Sequence, residues 1–257
     1  MKRMKKARRT KQSKALELAE RALAFLPPRW RVKSLAELVP LAVLAFIAAA
    51  LYAFAQLADE MMDGEIKPFD EAILRALRNP ADLADPIGPH WLDTAMLDIT
   101  ALGGTAVLTL ITAGVIGFLL MDRKRGAALF VLVAVAGGSL LTTLAKFAFA
   151  RPRPELVAHL VEVSSYSFPS GHAMSSAVTY LTLGALLART QARKRIKAYL
   201  VGVAVLLTLM IGSSRVYLGV HFPSDVLAGW SLGAAWAMLC WQVERLLQQR
   251  GQVERED

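Results

Sequence analysis

Six stretches of the chain are apolar enough to be read as bilayer-crossing helices, some of them with polar ends. They are about Leu38–Leu57, Ile99–Met121, Ala127–Ala145, Ala173–Leu187, Tyr199–Gly212 and Val226–Trp241. A helix needs about 20 mostly apolar residues to cross about 30 Å of hydrocarbon. The stretches are too many, and the longest too long, to be signal h-regions or the core helices of a soluble domain. The first contains Ala53-Phe54-Ala55, which resembles a cleavage site. Its n-region and apolar run both exceed the signal-peptide pattern, so it reads as an uncleaved first helix. An acidic stretch follows, from Asp59 to Asp93, in which Phe69, Ile73, Leu74 and Leu77 share one face of a short helix that Asp70 can cap. Beside a bilayer such a helix lies in the interface. The prediction is an all-α, polytopic membrane protein with six transmembrane helices and a short interfacial helix. No internal repeat is evident.

Composition agrees: 55% of the 257 residues are hydrophobic, 20% are charged, and the mean hydropathy is +0.41. This balance leans away from an ordinary soluble domain and excludes a collagen-like chain and a mainly disordered one. Cys240 is the only cysteine, which excludes a disulfide scaffold, and it reads as a packing residue on the sixth span. Charge is unevenly placed. Residues 1–33 hold twelve Lys/Arg against Glu17 and Glu20, a net +10 in a chain of net +9. A basic run such as Lys2–Arg9 can mark a nucleic-acid patch, but ahead of a spanning helix it reads as a cytoplasmic tail touching anionic headgroups, with no nucleic-acid partner. The loops around Arg123-Lys124-Arg125 and Arg193-Lys194-Arg195 are basic too, and with six spans they share the tail's side. The positive-inside rule then puts both termini in the cytoplasm. The predicted organisation is a basic tail over 1–35, a membrane domain over 36–245 and a C-terminal tail over 246–257. The span cores contain no Asp, Glu, Lys or Arg, which counts against a transporter.

The unusual polar residues gather on the opposite face, in segments 59–93, 146–172 and 213–225. Three patterns stand out there: Lys146-x6-Arg153-Pro154, Pro169-Ser170-Gly171-His172, and Ser214-Arg215-x5-His221-x3-Asp225. Lys146, Arg153 and Arg215 are three cations suited to an oxyanion, since guanidinium groups fork onto phosphate oxygens. Ser170 and Gly171 fall where a helix N-terminus presents free N–H groups to an anion, and Ser170 can cap that helix or donate to the anion. His221 and Asp225 are one helical turn apart if the chain is helical around Pro223; an Asp accepting from one ring nitrogen leaves the other free as a nucleophile. His172 is then a proton donor to the leaving oxygen. Taken singly, Lys146, Arg151 and Arg153 read as interface anchors, Pro169–Gly171 as a turn, and His221–Asp225 as a structural pair. Together they indicate a phosphate site, with too few ligands for a zinc or di-metal centre.

The three patterns resemble those of the type 2 phosphatidic acid phosphatase superfamily, whose bacterial members include phosphatidylglycerophosphate and undecaprenyl diphosphate phosphatases. The resemblance spans roughly residues 36–245 and fills every motif position. It implies a six-helix membrane fold with the core shared by acid phosphatases and vanadium haloperoxidases, no cofactor and no metal. It assigns Lys146, Arg153, Ser170, Gly171 and Arg215 to phosphate binding, His221 as the nucleophile that becomes phosphohistidine, His172 as general acid, and Asp225 as the orienting partner of His221. The partner it implies is a membrane lipid, either a phospholipid phosphate or a polyprenyl diphosphate, cleaved at the extracytoplasmic face of a bacterial-type inner membrane. A lipid phosphotransferase is the nearest alternative, then a non-catalytic phosphate-lipid binding or transport protein, then a haloperoxidase. His90 and His159 fall outside the motifs and read as loop residues. Trp30, Trp91, Tyr166 and Tyr217 fit an aromatic belt, and Tyr217 and Phe222 are near enough to His221 to line a lipid entrance. Gly103-Gly104, Gly137-Gly138, Gly229 and Gly233 suggest close helix contacts.

Overall fold

The computed structural model describes residues 35–249, so residues 1–34 of the predicted N-terminal tail and 250–257 of the predicted C-terminal tail lie outside the described residues. The elements are α1 (Leu35–Asp63), α2 (Lys67–Ala76), β1 (Arg78–Asn79), β2 (Asp82–Pro86), α3 (His90–Ala101), α4 (Thr105–Met121), α5 (Arg125–Phe149), α6 (Gly171–Arg189), α7 (Lys194–Tyr217) and α8 (Pro223–Gln249). The chain divides within α1 into two units, residues 1–45 and 46–257. In the first, the described turns of α1 expose Leu38, Leu41 and Leu44. The second unit carries every other element and the whole of the chemistry described below.

Its helices wear their large apolar side chains outward. Leu110, Phe118, Leu140, Phe147 and Tyr199 are each at least 60% exposed. In water that arrangement would be costly, whereas in lipid it matches the solvent, and association then depends on close packing. α6 packs against α5, α7 and α8, and small residues set the spacing. A Cβ on Gly229 of α8 would stand 2.7 Å from the Ser170 carbonyl oxygen, and one on Gly233 2.8 Å from that of Met174. Only glycine lets the two backbones approach this closely. The predicted close contacts at these glycines are therefore present.

Among the described residues, by length and apolar content four helices can cross a membrane (α1, α5, α7 and α8), or five if α3 and α4 are taken as one bent span. The predicted second span is not continuous. It breaks at Leu102–Gly104 and turns by 44°, because Gly104 takes an extended conformation and becomes the N-cap of α4. The predicted fourth span is α6, shorter and more polar, with Ser175, Ser176, Thr179 and Thr182 among its 19 residues.

The acidic stretch holds more structure than the sequence indicated. It contains the α2 helix, a two-stranded antiparallel hairpin, and the start of α3. In the hairpin, Asn79 and Asp82 accept the N–H groups of Ala81 and Ala84 two residues on, the local bonding by which Asx residues make turns. Arg78 is buried and donates to the Tyr217 carbonyl at 3.0 Å, fastening the hairpin to the end of α7. Asp70 does not cap α2. It sits in the helix's first turn, fully buried, with its carboxylate turned toward α8. His90 opens α3, where its Nδ1 lies 3.2 Å from Asp93, so it is not a loop residue; His159 is one, with Nε2 at 2.6 Å from the Pro154 carbonyl.

Candidate active site

The end of α5, the start of α6, the end of α7 and the start of α8 deliver the three motifs to one place. A cavity of about 340 Å³ there is lined by Lys146, Arg153, Gly171, His172, Arg215 and His221. The two remaining predicted residues stand behind it. Ser170 is fully buried and caps α6, its Oγ accepting from Ala173 N at 3.5 Å, while its own N–H bonds the Asp225 carbonyl at 2.9 Å. Asp225 is buried beneath His221.

α8 begins at Pro223, a residue suited to the first helical position because its missing N–H is not needed there. His221 precedes it in a turn, and the carboxylate of Asp225 reaches back. Asp225 Oδ2 accepts from Phe222 N at 2.9 Å and lies 3.3 Å from His221 Nδ1. On the other side of the ring, Nε2 faces an Arg153 Nη1 at 3.2 Å. Since a guanidinium only donates, Nε2 is the unprotonated nitrogen and Nδ1 carries the proton donated to Asp225. The ring thus has its lone pair toward the cavity.

Arg153 is itself held. Its Nη1 donates to the Val220 carbonyl at 2.6 Å, its Nε to the Ser165 carbonyl at 2.7 Å and its Nη2 to Ser165 Oγ at 3.1 Å. Arg215 is 3% exposed and donates through Nη1 to Thr100 Oγ1 at 2.9 Å, next to the break between α3 and α4. Lys146 donates to the Tyr166 carbonyl. Gly103, at that break, lies against His172; a Cβ there would stand 3.4 Å from the His172 Cδ2 and 2.3 Å from Ile211.

Burial, together with Arg153, Arg215 and Lys146 nearby, holds the His221 imidazole well below its ordinary value near 6.5. The unfolded chain therefore binds a proton here that the folded chain does not, once the pH drops below about 6.5. The stability associated with this site is full above that pH and falls as the pH is lowered. Histidine side-chain NMR checks it: the resonance missing from His221→Gln should titrate with a midpoint well below 6.5, and a midpoint at or above 6.5 would contradict the geometry.

Four contributors are not marked for this site by the sequence. Thr100 and Ser224 carry no local signal, and Asp70 signals only a cap for α2, until the fold brings partners to them. Arg151 had a faint one, the doubled Arg-Pro of Arg151-Pro152-Arg153-Pro154. It is not an interface anchor: its side chain is 10% exposed and bonds Asp70, Ser224 and Asp225. Tyr217 and Phe222 do not line the cavity. Tyr217 is buried and donates to Asp93 Oδ1 at 2.6 Å, and the Phe222 ring lies under the Arg151 guanidinium at 4.1 Å. Among the described residues, no group of three or more His, Cys, Asp or Glu is placed to hold a metal ion.

Residues 127–248 match the family model of the PAP2 superfamily. Phosphatidylglycerophosphatase B of Bacillus subtilis (strain 168) is 34% identical over 184 residues, spanning 70% of this chain and 85% of that protein. An undecaprenyl-diphosphatase of Sulfolobus acidocaldarius is 30% identical over 131 residues, 49% of this chain and 59% of that one. Among solved structures, the transmembrane PAP2-type phosphatidylglycerolphosphate phosphatase of Bacillus subtilis superposes with a TM-score of 0.70 at 30% identity, covering 78% of this chain and 96% of that chain.

Proposed function

The chain belongs to the PAP2 superfamily, and from that premise we propose that it hydrolyses a lipid phosphomonoester or a prenyl diphosphate through a phosphohistidine on His221. As a member it is a multi-pass membrane protein and a phosphoric ester hydrolase acting on lipid phosphates. The observation that carries the finer reading is the placement of the His221 ring, with Nδ1 against Asp225 and Nε2 beside Arg153 in a cavity that three cations line.

In this reading Lys146, Arg153 and Arg215 hold the phosphoryl oxygens, aided by the N–H groups at the start of α6 that Ser170 and Gly171 set in place. Arg153 Nη1 trades its contact with Nε2 for a phosphate oxygen. Nε2 then bonds to phosphorus as the P–O bond to the lipid breaks, and His172 gives its proton to the leaving oxygen. The leaving group is a lipid alcohol from a monoester or a lipid monophosphate from a diphosphate. In the second half, water gives a proton to His172 while its oxygen bonds to phosphorus. The N–P bond breaks, inorganic phosphate leaves, and both histidines return to their starting states. The cavity continues along α4, α5 and α6, where Leu108, Val135 and Val178 alternate with Thr109, Ser139 and Thr179, a mixed lining suited to the polar end of a lipid and its first carbons.

Purified protein in detergent, with chelator present, is expected to release phosphate from at least one of phosphatidylglycerophosphate, phosphatidate, undecaprenyl diphosphate and lipid A. Brief exposure to a ³²P-labelled substrate should leave acid-labile, base-stable label on the protein. Release that requires added metal, or label absent under rapid quench, would overturn the mechanism.

The charge distribution supports an active site on the extracytoplasmic face of a bacterial-type inner membrane, with both termini inside. In a Cys240→Ser background, Glu162→Cys should react with an impermeant maleimide in intact spheroplasts. Ala192→Cys, at the opposite end of the helices, should react only after lysis. The reverse pattern would invert the orientation.

A further inference from the structure

We propose that Arg151 and Asp70 are positioning residues for the His221–Asp225 pair, with Arg151 fixing which carboxylate oxygen faces the histidine and Asp70 fixing Arg151. The inference rests on the roles proposed above for His221 and Asp225.

Arg151 lies on the far side of Asp225 from the ring and does not line the cavity that holds the reacting groups. Its guanidinium makes three contacts in one plane of donors. Nη1 reaches Asp225 Oδ1 at 2.7 Å and Ser224 Oγ at 2.8 Å, and Nη2 reaches Asp70 Oδ2 at 2.8 Å. With Oδ1 taken, Oδ2 is the oxygen left to face His221 Nδ1 and Phe222 N. A lone carboxylate can rotate about its Cβ–Cγ bond; one gripped at both oxygens cannot, and the imidazole it holds keeps its lone pair on the cavity.

Asp70 closes the arrangement from a different element. Its Oδ1 accepts the Ser224 N–H at 2.9 Å and its Oδ2 the Ser224 hydroxyl at 2.5 Å, besides the Arg151 contact. The Ser224 N–H is one of the first-turn donors of α8 that no helical carbonyl can satisfy, so a carboxylate on α2 caps α8 across 154 positions of sequence. Asp70, Ser224 and Asp225 are all fully buried. Two buried carboxylates sharing one guanidinium leave none of the three charges without a partner. Removing the guanidinium would strand both.

The test separates acting through Asp225 from merely supporting the fold. Arg151→Gln is expected to lower kcat by about 10²-fold with KM changed by less than about threefold. Arg151→Lys should recover part of the loss, since it keeps the charge but not the fork. In an Asp225→Asn background, measured by single turnover, Arg151→Gln should cost nothing further, the non-additivity that marks residues acting as a unit. If Arg151→Gln does not fold, Asp70→Asn serves in its place, because the amide still accepts from Ser224 N. It should lose about 10-fold in kcat, and that loss too should vanish in the Asp225→Asn background. A rise in KM with kcat intact, or equal losses in both backgrounds, would overturn the proposal. Full activity of Asp225→Asn would instead show that the reading of the His221–Asp225 pair is wrong.

Discussion

Replacing His221 with glutamine is expected to lower kcat by about 10⁴-fold or more, because His172, the other imidazole of the cavity, has among the described residues no carboxylate like Asp225 to orient it for attack. Glutamine keeps the side chain polar and near the ring's volume, so binding should survive the loss of turnover. The cations proposed to hold the phosphate are untouched: Arg153 retains Val220 and Ser165, and Arg215 retains Thr100. The variant should therefore bind a lipid phosphate with a Kd within a few-fold of the parent while releasing no phosphate and acquiring no label. Turnover within tenfold of the parent would mean that water attacks the substrate directly. In that case His221 would serve as a base or as a clamp.

Asp225→Asn is expected to cost about 10³-fold in kcat without loss of the folded state. The carboxylate receives donors at both oxygens: Arg151 on Oδ1, and both Phe222 N–H and the His221 ring on Oδ2. An amide offers one oxygen. If that oxygen faces Arg151, the NH₂ group faces His221, so Nδ1 must accept and the ring proton moves to Nε2, which then has no lone pair for phosphorus. If the oxygen faces His221, the NH₂ group meets a guanidinium that can only donate. Either orientation leaves two donors opposed in a buried place. Rapid-quench measurement should show slowed formation of the phosphoenzyme, with thermal unfolding in detergent within a few degrees of the parent.

The site was legible where its chemistry is written in consecutive residues. Lys146 and Arg153 end one helix and its exit loop, Ser170–His172 begin another, and His221 and Asp225 flank a helix start; in each case local geometry and residue type suffice. What the sequence hid depends on pairs brought together only by folding. Arg151 meets Asp70 across 81 positions, and Arg215 meets Thr100 across 115. Nothing in either neighbourhood marks the partner. The break in the second span was hidden for a different reason. Apolar content is uninterrupted from Ile99 to Met121, and apolar content does not reveal a change in chain direction. The sequence marks the glycines at 103 and 104 as packing residues, which Gly103 is, but Gly104 also ends one helix axis and begins another.

The polarity of α6 bears on how the protein is made. Ser176, Thr179 and Thr182 are buried in a helix that packs on α5, α7 and α8, so those neighbours take these hydroxyls out of contact with lipid. Two of the three, α7 and α8, leave the ribosome after it. By length and composition the segment that carries His172 is less apolar than α1 and α5, so it gains less from lipid alone and more from the helices that follow. The proposed phosphate site is in this sense completed last, when α8 arrives and brings Gly229 and Gly233 against the backbone of α6.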